Sequence, residues 1–263
     1  MAVKAKQNRE FLPCQKRPPH CGGVVVMCGR YALTSAPEAI RALFSYTETP
    51  NFPARYNIAP TQPIPIVTAE RGADGGPTTR HFLLARWGFL PGFVKDAREF
   101  PLIINARSET VCEKPSFRAA MKRRRCLIPA DAYYEWLKLG ASGRKVERKP
   151  YLFRRKDGAP MGLAGLWETY AGPDGAEIDT ACILTTAANG ATVAVHDRMP
   201  AIIETRDFNA WLDCDGVRAE EAAALLKPAA EETLAFYEIG PEVNRATSEG
   251  PQLQEPLKPT LFG

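Results

Sequence analysis

No apolar run in the 263-residue chain approaches the roughly 20 residues needed to span a bilayer as a helix. The N-terminal stretch MAVKAKQNREFLPCQKRPPHCGG is basic but has no apolar centre, so neither a secretory signal nor a membrane association is expected, and a cytoplasmic location is. The seven cysteines are an odd number and contain no C-x-x-C pair, which argues against a disulfide framework and against a zinc ribbon. Cys14, Cys21 and Cys28 recur at seven-residue steps with His20 nearby, a spacing that matches no common zinc site. No metal and no cofactor are therefore expected. Internal repeats are missing, and so is the βαβ alternation that would announce a parallel α/β sheet.

What is present is ordinary in amount and uneven in distribution. Hydrophobic content of 45% and charged content of 24% suit a globular domain. The net charge of +4 is carried wholly by residues 1–27. Within the neutral remainder, residues 118–156 hold thirteen Lys/Arg against three acidic residues, and residues 204–256 hold twelve acidic residues against four Lys/Arg. A localised basic region suits a polyanion partner; it equally suits a solvated helix face with its loops.

Pattern and punctuation divide the chain into short elements. CGRYAL reads as a first strand, and APEAIRALF (36–44) as a helix with Ile40, Leu43 and Phe44 on one face and Pro37 at its start. RYNIAPTQPIPIVTA reads as a Pro-punctuated loop leading into a strand, and RHFLLARWGFLP as the strand that returns after a Gly-rich turn. SETVCEKPSFRAAMKRRR predicts a helix with a basic end. Strand candidates follow in RCLIPADAYYEWL, PYLFRR, GLAGLWETY, DTACILTTAA and RMPAII, with GPDGAEI as a hairpin turn. Helices near RDFNAWLDC and 218–227 precede a last strand at LAFYEIG, and SEGPQLQEPLKPTLFG lacks a core pattern. Short mixed strands with a few helices predict one α+β domain built on a curled, barrel-like sheet, spanning 27–257. Residues 1–26 are expected to be a disordered or mis-assigned extension, and 258–263 a flexible tail.

Four polar residues sit among apolar neighbours near expected strand ends. Glu135 lies between Tyr133, Tyr134 and Trp136; burial there would raise its pKa toward the range useful for proton transfer. Glu135 could equally belong to a structural salt bridge, His196 beside Asp197 could be a hydrogen-bonding scaffold residue, and Asn105 could be turn chemistry. The fourth is Cys28, directly after Met27. Met is trimmed before a small residue, so a chain started at Met27 would begin with a cysteine bearing both a thiol and a free α-amine.

Taken together, MCGRYAL, RYNIAPTQ, RWGFLP, NARSET, CLIPADAYYEW, GLWE, ILTTAAN, HDRMP and GPQLQEPL occur in the order seen in the SRAP family, the SOS-response-associated peptidase or abasic-site-processing proteins. The chain resembles that family from Met27 to about Leu257. The resemblance implies the family's single α+β domain and a DNA damage response protein that binds single-stranded DNA and crosslinks covalently to abasic sites through a thiazolidine on an N-terminal cysteine. It also allows lyase activity at the abasic site and autoproteolysis. By motif matching, Cys28 would be the nucleophile, Asn105 would orient cysteine and sugar, Glu135 would be the general acid/base, and His196 would hold the opened sugar's hydroxyl. Arg30, Arg107 and Arg198 would engage phosphates, Trp136, Trp87 and Pro60 would be platforms for flanking bases, and Thr185 would contact the DNA backbone; core packing is the alternative role for either tryptophan, and an equal one for Trp87. The partner implied is single-stranded DNA containing abasic sites, bound by a monomer.

The extra residues 1–26 depart from the family pattern, because a peptide bond at the Cys28 nitrogen would block the chemistry. Translation from Met27 or autoproteolytic release would remove that block. Two other functions are compatible with parts of the sequence. An N-terminal-nucleophile amidohydrolase also begins Cys-Gly, although Arg30-Tyr31 and the later motifs do not fit one. A non-catalytic single-strand-binding module would use the basic 118–156 region alone.

Overall fold

The computed structural model describes residues 28–72, 76, 78–142 and 145–257. The expected extension 1–26 and tail 258–263 lie outside them. In chain order the elements are β1 (Tyr31–Leu33), α1 (Pro37–Phe44), β2 (Arg55–Ile58), β3 (Pro63–Arg71), β4 (Thr78–Trp87), β5 (Asn105–Arg107), α2 (Pro115–Arg123), β6 (Arg125–Ala130), β7 (Ala132–Ser142), β8 (Lys145–Arg155), β9 (Met161–Ala171), β10 (Glu177–Ala187), β11 (Arg198–Pro200), β12 (Ile202–Ile203), α3 (Phe208–Leu212), α4 (Ala219–Ala223) and β13 (Leu234–Glu238). This is the α+β class read from the sequence.

Five strands close on themselves. β3 pairs with β4 and β6, β6 with β9, and β9 with β10, while β10 returns to β4 as a parallel neighbour. Closure explains the composition of these strands. A barrel stave packed inside and flanked by helices outside has no wet face, and all six residues of β6 are buried. Close packing at the seam needs small residues: a Cβ at Gly165 would lie 2.8 Å from the Cys126 sulfur. Arg125 is buried on the same strand, with its guanidinium donating to the carbonyls of Met121, Trp211, Asp213 and Val217. These turn and helix-end acceptors take up a charge that would otherwise be costly to bury.

A second sheet, ordered β13–β8–β7–β1–β2, leans on the barrel. The sequence read RCLIPADAYYEWL as a single strand; the chain makes two, one in each sheet, turning at Asp131. Its carboxylate explains the break, because it accepts the backbone N–H groups of Thr34 and Ser35 at 2.5 and 2.7 Å and so ties the end of β1 to the turn. Similarly, the single helix expected from Ser108 onward is a 3₁₀ turn at Ser108–Thr110 followed by α2, which Pro115 opens. A residue before proline is driven out of the helical region, and Lys114 is extended. The segment that begins SEGPQLQEPL does carry core pattern: Leu253, in a 3₁₀ turn at Pro251–Gln254, is buried.

Candidate active site

β1 pairs antiparallel with β7 only at Tyr31↔Tyr133 and Ala32↔Ala132. Continuing backward, the chain passes Gly29 and brings Cys28 beside Glu135, just beyond the last paired residues. The Cys28 backbone nitrogen donates to Glu135 Oε1 at 2.5 Å, and both residues are buried. Cys28 takes a left-handed conformation, φ 39°, which bends the chain toward the carboxylate. Burial pushes the Glu135 carboxyl up to about 8, with nearby Asp197 adding to the rise against the pull of the Cys28 and Trp136 backbone N–H groups. Burial, and then Glu135 itself, pushes the Cys28 thiol well above its ordinary value. The thiol is thus held protonated, which makes it a poor first nucleophile.

Two tyrosines not expected in the site join it. The hydroxyls of Tyr31 and Tyr133 are buried without a hydrogen-bond partner among the described residues, and both have Cys28 as an electrostatic neighbour. An unpaired buried hydroxyl costs about 1–3 kcal/mol, so the pair are donors kept in reserve beside the thiol. Their adjacency to Cys28 and Glu135 in sequence is the signal that could have found them.

The other sheet supplies Asn105, His196 and Arg198. Asn105 opens β5, which runs parallel to β10 with Asn105 opposite Ile183. His196 Nδ1 accepts the Arg198 backbone N–H at 3.1 Å and lies 3.0 Å from Asp197 Oδ1. These contacts make opposite demands on Nδ1, since accepting requires a lone pair and pairing with Asp197 requires a proton. Burial lowers the His196 pKa despite Asp197, so the neutral ring, with its proton on Nε2, prevails at neutral pH. Lys138 and Asp197 are electrostatic neighbours of both Glu135 and His196.

The residues expected to touch DNA divide into exposed and buried. Arg107 is exposed. Arg198, mostly buried, grips Glu109 with two bonds and donates to the Thr185 carbonyl at 2.6 Å. Thr185 is fully buried, and its hydroxyl donates to the Ala106 carbonyl at 3.4 Å, so it holds β5 and Arg198 in register. Arg30 is half-buried and donates to Asn57 Oδ1 and to the carbonyls of Val243 and Asn244. Trp136 donates to Asn244 Oδ1 at 2.7 Å, so Arg30 and Trp136 converge on one C-terminal turn. Pro60 is half-buried in the turn before β3.

Trp87 corrects its expected role as a base platform. It is fully buried, meets Tyr31 edge-to-face at 5.4 Å, and donates its indole N–H to the Ile104 carbonyl at 2.9 Å. It therefore braces the strand of Cys28 against the residue preceding Asn105 and offers no face to a base. An aromatic that does face solvent, Phe93, lies in the β4–β5 loop and was not singled out from the sequence.

The family model for the SOS response associated peptidases matches residues 27–246. The chain belongs to the SRAP family. Among SRAP relatives, the abasic site processing protein YoqW of Bacillus subtilis is 32% identical, over 87% of this chain and 99% of its own. The abasic site processing protein HMCES of Rattus norvegicus is 27% identical, over 90% of this chain and 76% of its own. A solved structure from Bacteroides thetaiotaomicron shares the fold with a TM-score of 0.75 at 24% identity, over 88% of this chain and all of that one. The SRAP match begins one residue before Cys28, at the point where the described site begins.

Proposed function

We propose that this SRAP protein processes abasic sites in single-stranded DNA by forming a thiazolidine between the ring-opened sugar and Cys28 as the N-terminal residue. The observation that carries the reading is the buried contact between the Cys28 nitrogen and the Glu135 carboxylate, with the thiol of the same residue beside it. As the first residue, Cys28 would present an α-amine, whose ordinary pKa is about 7.7–8.0. Glu135, whose carboxyl pKa is raised by burial, lies within hydrogen-bond distance of that nitrogen and is placed to exchange a proton with it.

The steps follow from which group is nucleophilic. The amine adds to the sugar aldehyde, and Glu135 returns a proton to the carbinolamine hydroxyl, which leaves as water to give the imine. The protonated thiol is the second nucleophile. Its sulfur attacks the imine carbon, its proton goes to the imine nitrogen, and a five-membered ring closes. One water is lost overall and no oxidant is needed. His196, neutral with a proton on Nε2, is a donor suited to a sugar oxygen, and the unpaired hydroxyls of Tyr31 and Tyr133 give further donors.

A thiol raised by burial also weighs against an amidohydrolase, whose sulfur must attack first. The test is intact mass after incubation with an abasic oligonucleotide. A chain that begins at Cys28 gains the mass of the oligonucleotide less one water, without added reductant. No covalent product under single-turnover conditions overturns the proposal, and ammonia release from glutamine would favour the amidohydrolase instead.

A further inference from the structure

Lys138 on β7 and Arg148 on β8 are Cα partners in the antiparallel ladder, so their side chains leave the same face of the sheet side by side. Like charges placed directly opposite destabilise a sheet. Both side chains are exposed, and among the described residues neither has an ion-pair partner. The next basic residue, Lys149, projects from the other face and is neutralised by Glu238 at 3.2 Å. The uncompensated pair is therefore particular to one face of the hairpin.

That face also carries Trp136, while Glu135, one residue earlier on β7, projects from the opposite face. Moving along the ladder from Lys138↔Arg148, the next same-face pair is Trp136↔Pro150. Two residues of strand advance roughly 6.8 Å, which is about one nucleotide step of an extended single strand. Lys138 is also within electrostatic reach of Glu135 and His196.

From this juxtaposition we infer that Lys138 and Arg148 form a phosphate subsite, which clamps the DNA backbone one step beyond a base stacked on Trp136. The inference rests on the single-strand reading above and assigns a place to part of the basic 118–156 region. Arg148 supplies a planar fork for two phosphate oxygens, and Lys138 a point charge. The repulsion between the two, unfavourable in the free protein, is relieved when an anion sits between them.

The test is the salt dependence of binding to an intact oligothymidine, which separates binding from chemistry. Neutralising contacts to single strands changes the slope of log affinity against log salt by about 0.7 per phosphate. The K138Q/R148Q protein is expected to lose about 0.7 from that slope, with a loss of several-fold in affinity at ~0.1 M salt. K138R should keep the wild-type slope. R206Q, which removes an exposed arginine paired with Asp207 beyond the hairpin, should keep it as well. The double variant should melt no lower than wild type, since a like-charge pair is relieved. A wild-type slope in the double variant overturns the subsite while leaving the single-strand reading standing. A wild-type protein that does not bind oligothymidine overturns that reading and the subsite with it.

Discussion

At the scale of single residues, the site turns on a carboxylate that burial keeps protonated near neutral pH. Glu135→Gln preserves size and hydrogen bonding but removes the exchangeable proton. Losing general acid/base help of this kind costs about 100- to 10,000-fold in rate. The variant is expected to form adduct that much more slowly in single turnover at saturating DNA, with wild-type affinity for intact single strands; an unchanged rate would transfer the role to His196. The same group also makes folding depend on pH. Its folded pKa of about 8 lies above the ordinary 4.5, so between those values the native state holds a proton that the unfolded chain has released. The contribution is fully present below about 4.5 and is lost as pH rises through about 8, with each pH step of one across that window worth about 1.4 kcal/mol. Denaturant melts of wild type and Glu135→Gln across that window should converge at acid pH and separate by a few kcal/mol toward pH 8, with the variant the more stable. Curves that stay parallel would mean that Glu135 is ionised in the fold.

Between residue and molecule stand the strands that bring distant residues together, and here sequence reading succeeded and failed for identifiable reasons. Strands and helices with a periodic pattern were legible, and short motifs marked Cys28, Asn105, Glu135 and His196 as candidates, of which the fold brings Cys28 and Glu135 into contact. A curled, barrel-like sheet was legible, but not which strands close it, since the parallel β4–β10 contact joins segments far apart in sequence and leaves no local mark. Nor was the side each aromatic faces. Trp87 and Trp136 look alike in sequence, yet one is sealed in the core and the other reaches the surface at Asn244. Trp87→Phe separates the two roles. It keeps most of the apolar packing but leaves the Ile104 carbonyl without its indole donor, at a cost of about 1–3 kcal/mol. The expected outcome is a lower melting temperature and slower adduct formation through a loosened Asn105, with affinity for intact single strands unchanged. A selective loss of affinity in a stably folded variant would restore Trp87 to a stacking role.

On the scale of the whole molecule, charge and reactivity make separate demands on the region before Cys28. Residues 1–27 carry a net +4, and the remainder of the chain sums to zero. If they remain attached, they should strengthen attraction to phosphate, because the electrostatic part of binding follows the number of cations near the backbone. They should also abolish the chemistry, because a nitrogen in a peptide bond has no lone pair to offer an aldehyde, and Glu135 would then hold an amide, not an amine. Affinity and crosslinking are therefore expected to move in opposite directions. A full-length protein that retains all 263 residues should bind an intact oligonucleotide at least as tightly as a chain beginning at Cys28, yet give no adduct with an abasic one. Mass spectrometry of the N-terminus before and after the reaction checks that the extension is still present. An adduct formed at undiminished rate by the extended chain would rule out the α-amine as nucleophile and transfer the reaction to a side chain such as lysine, whose product would stop at an imine that borohydride can trap.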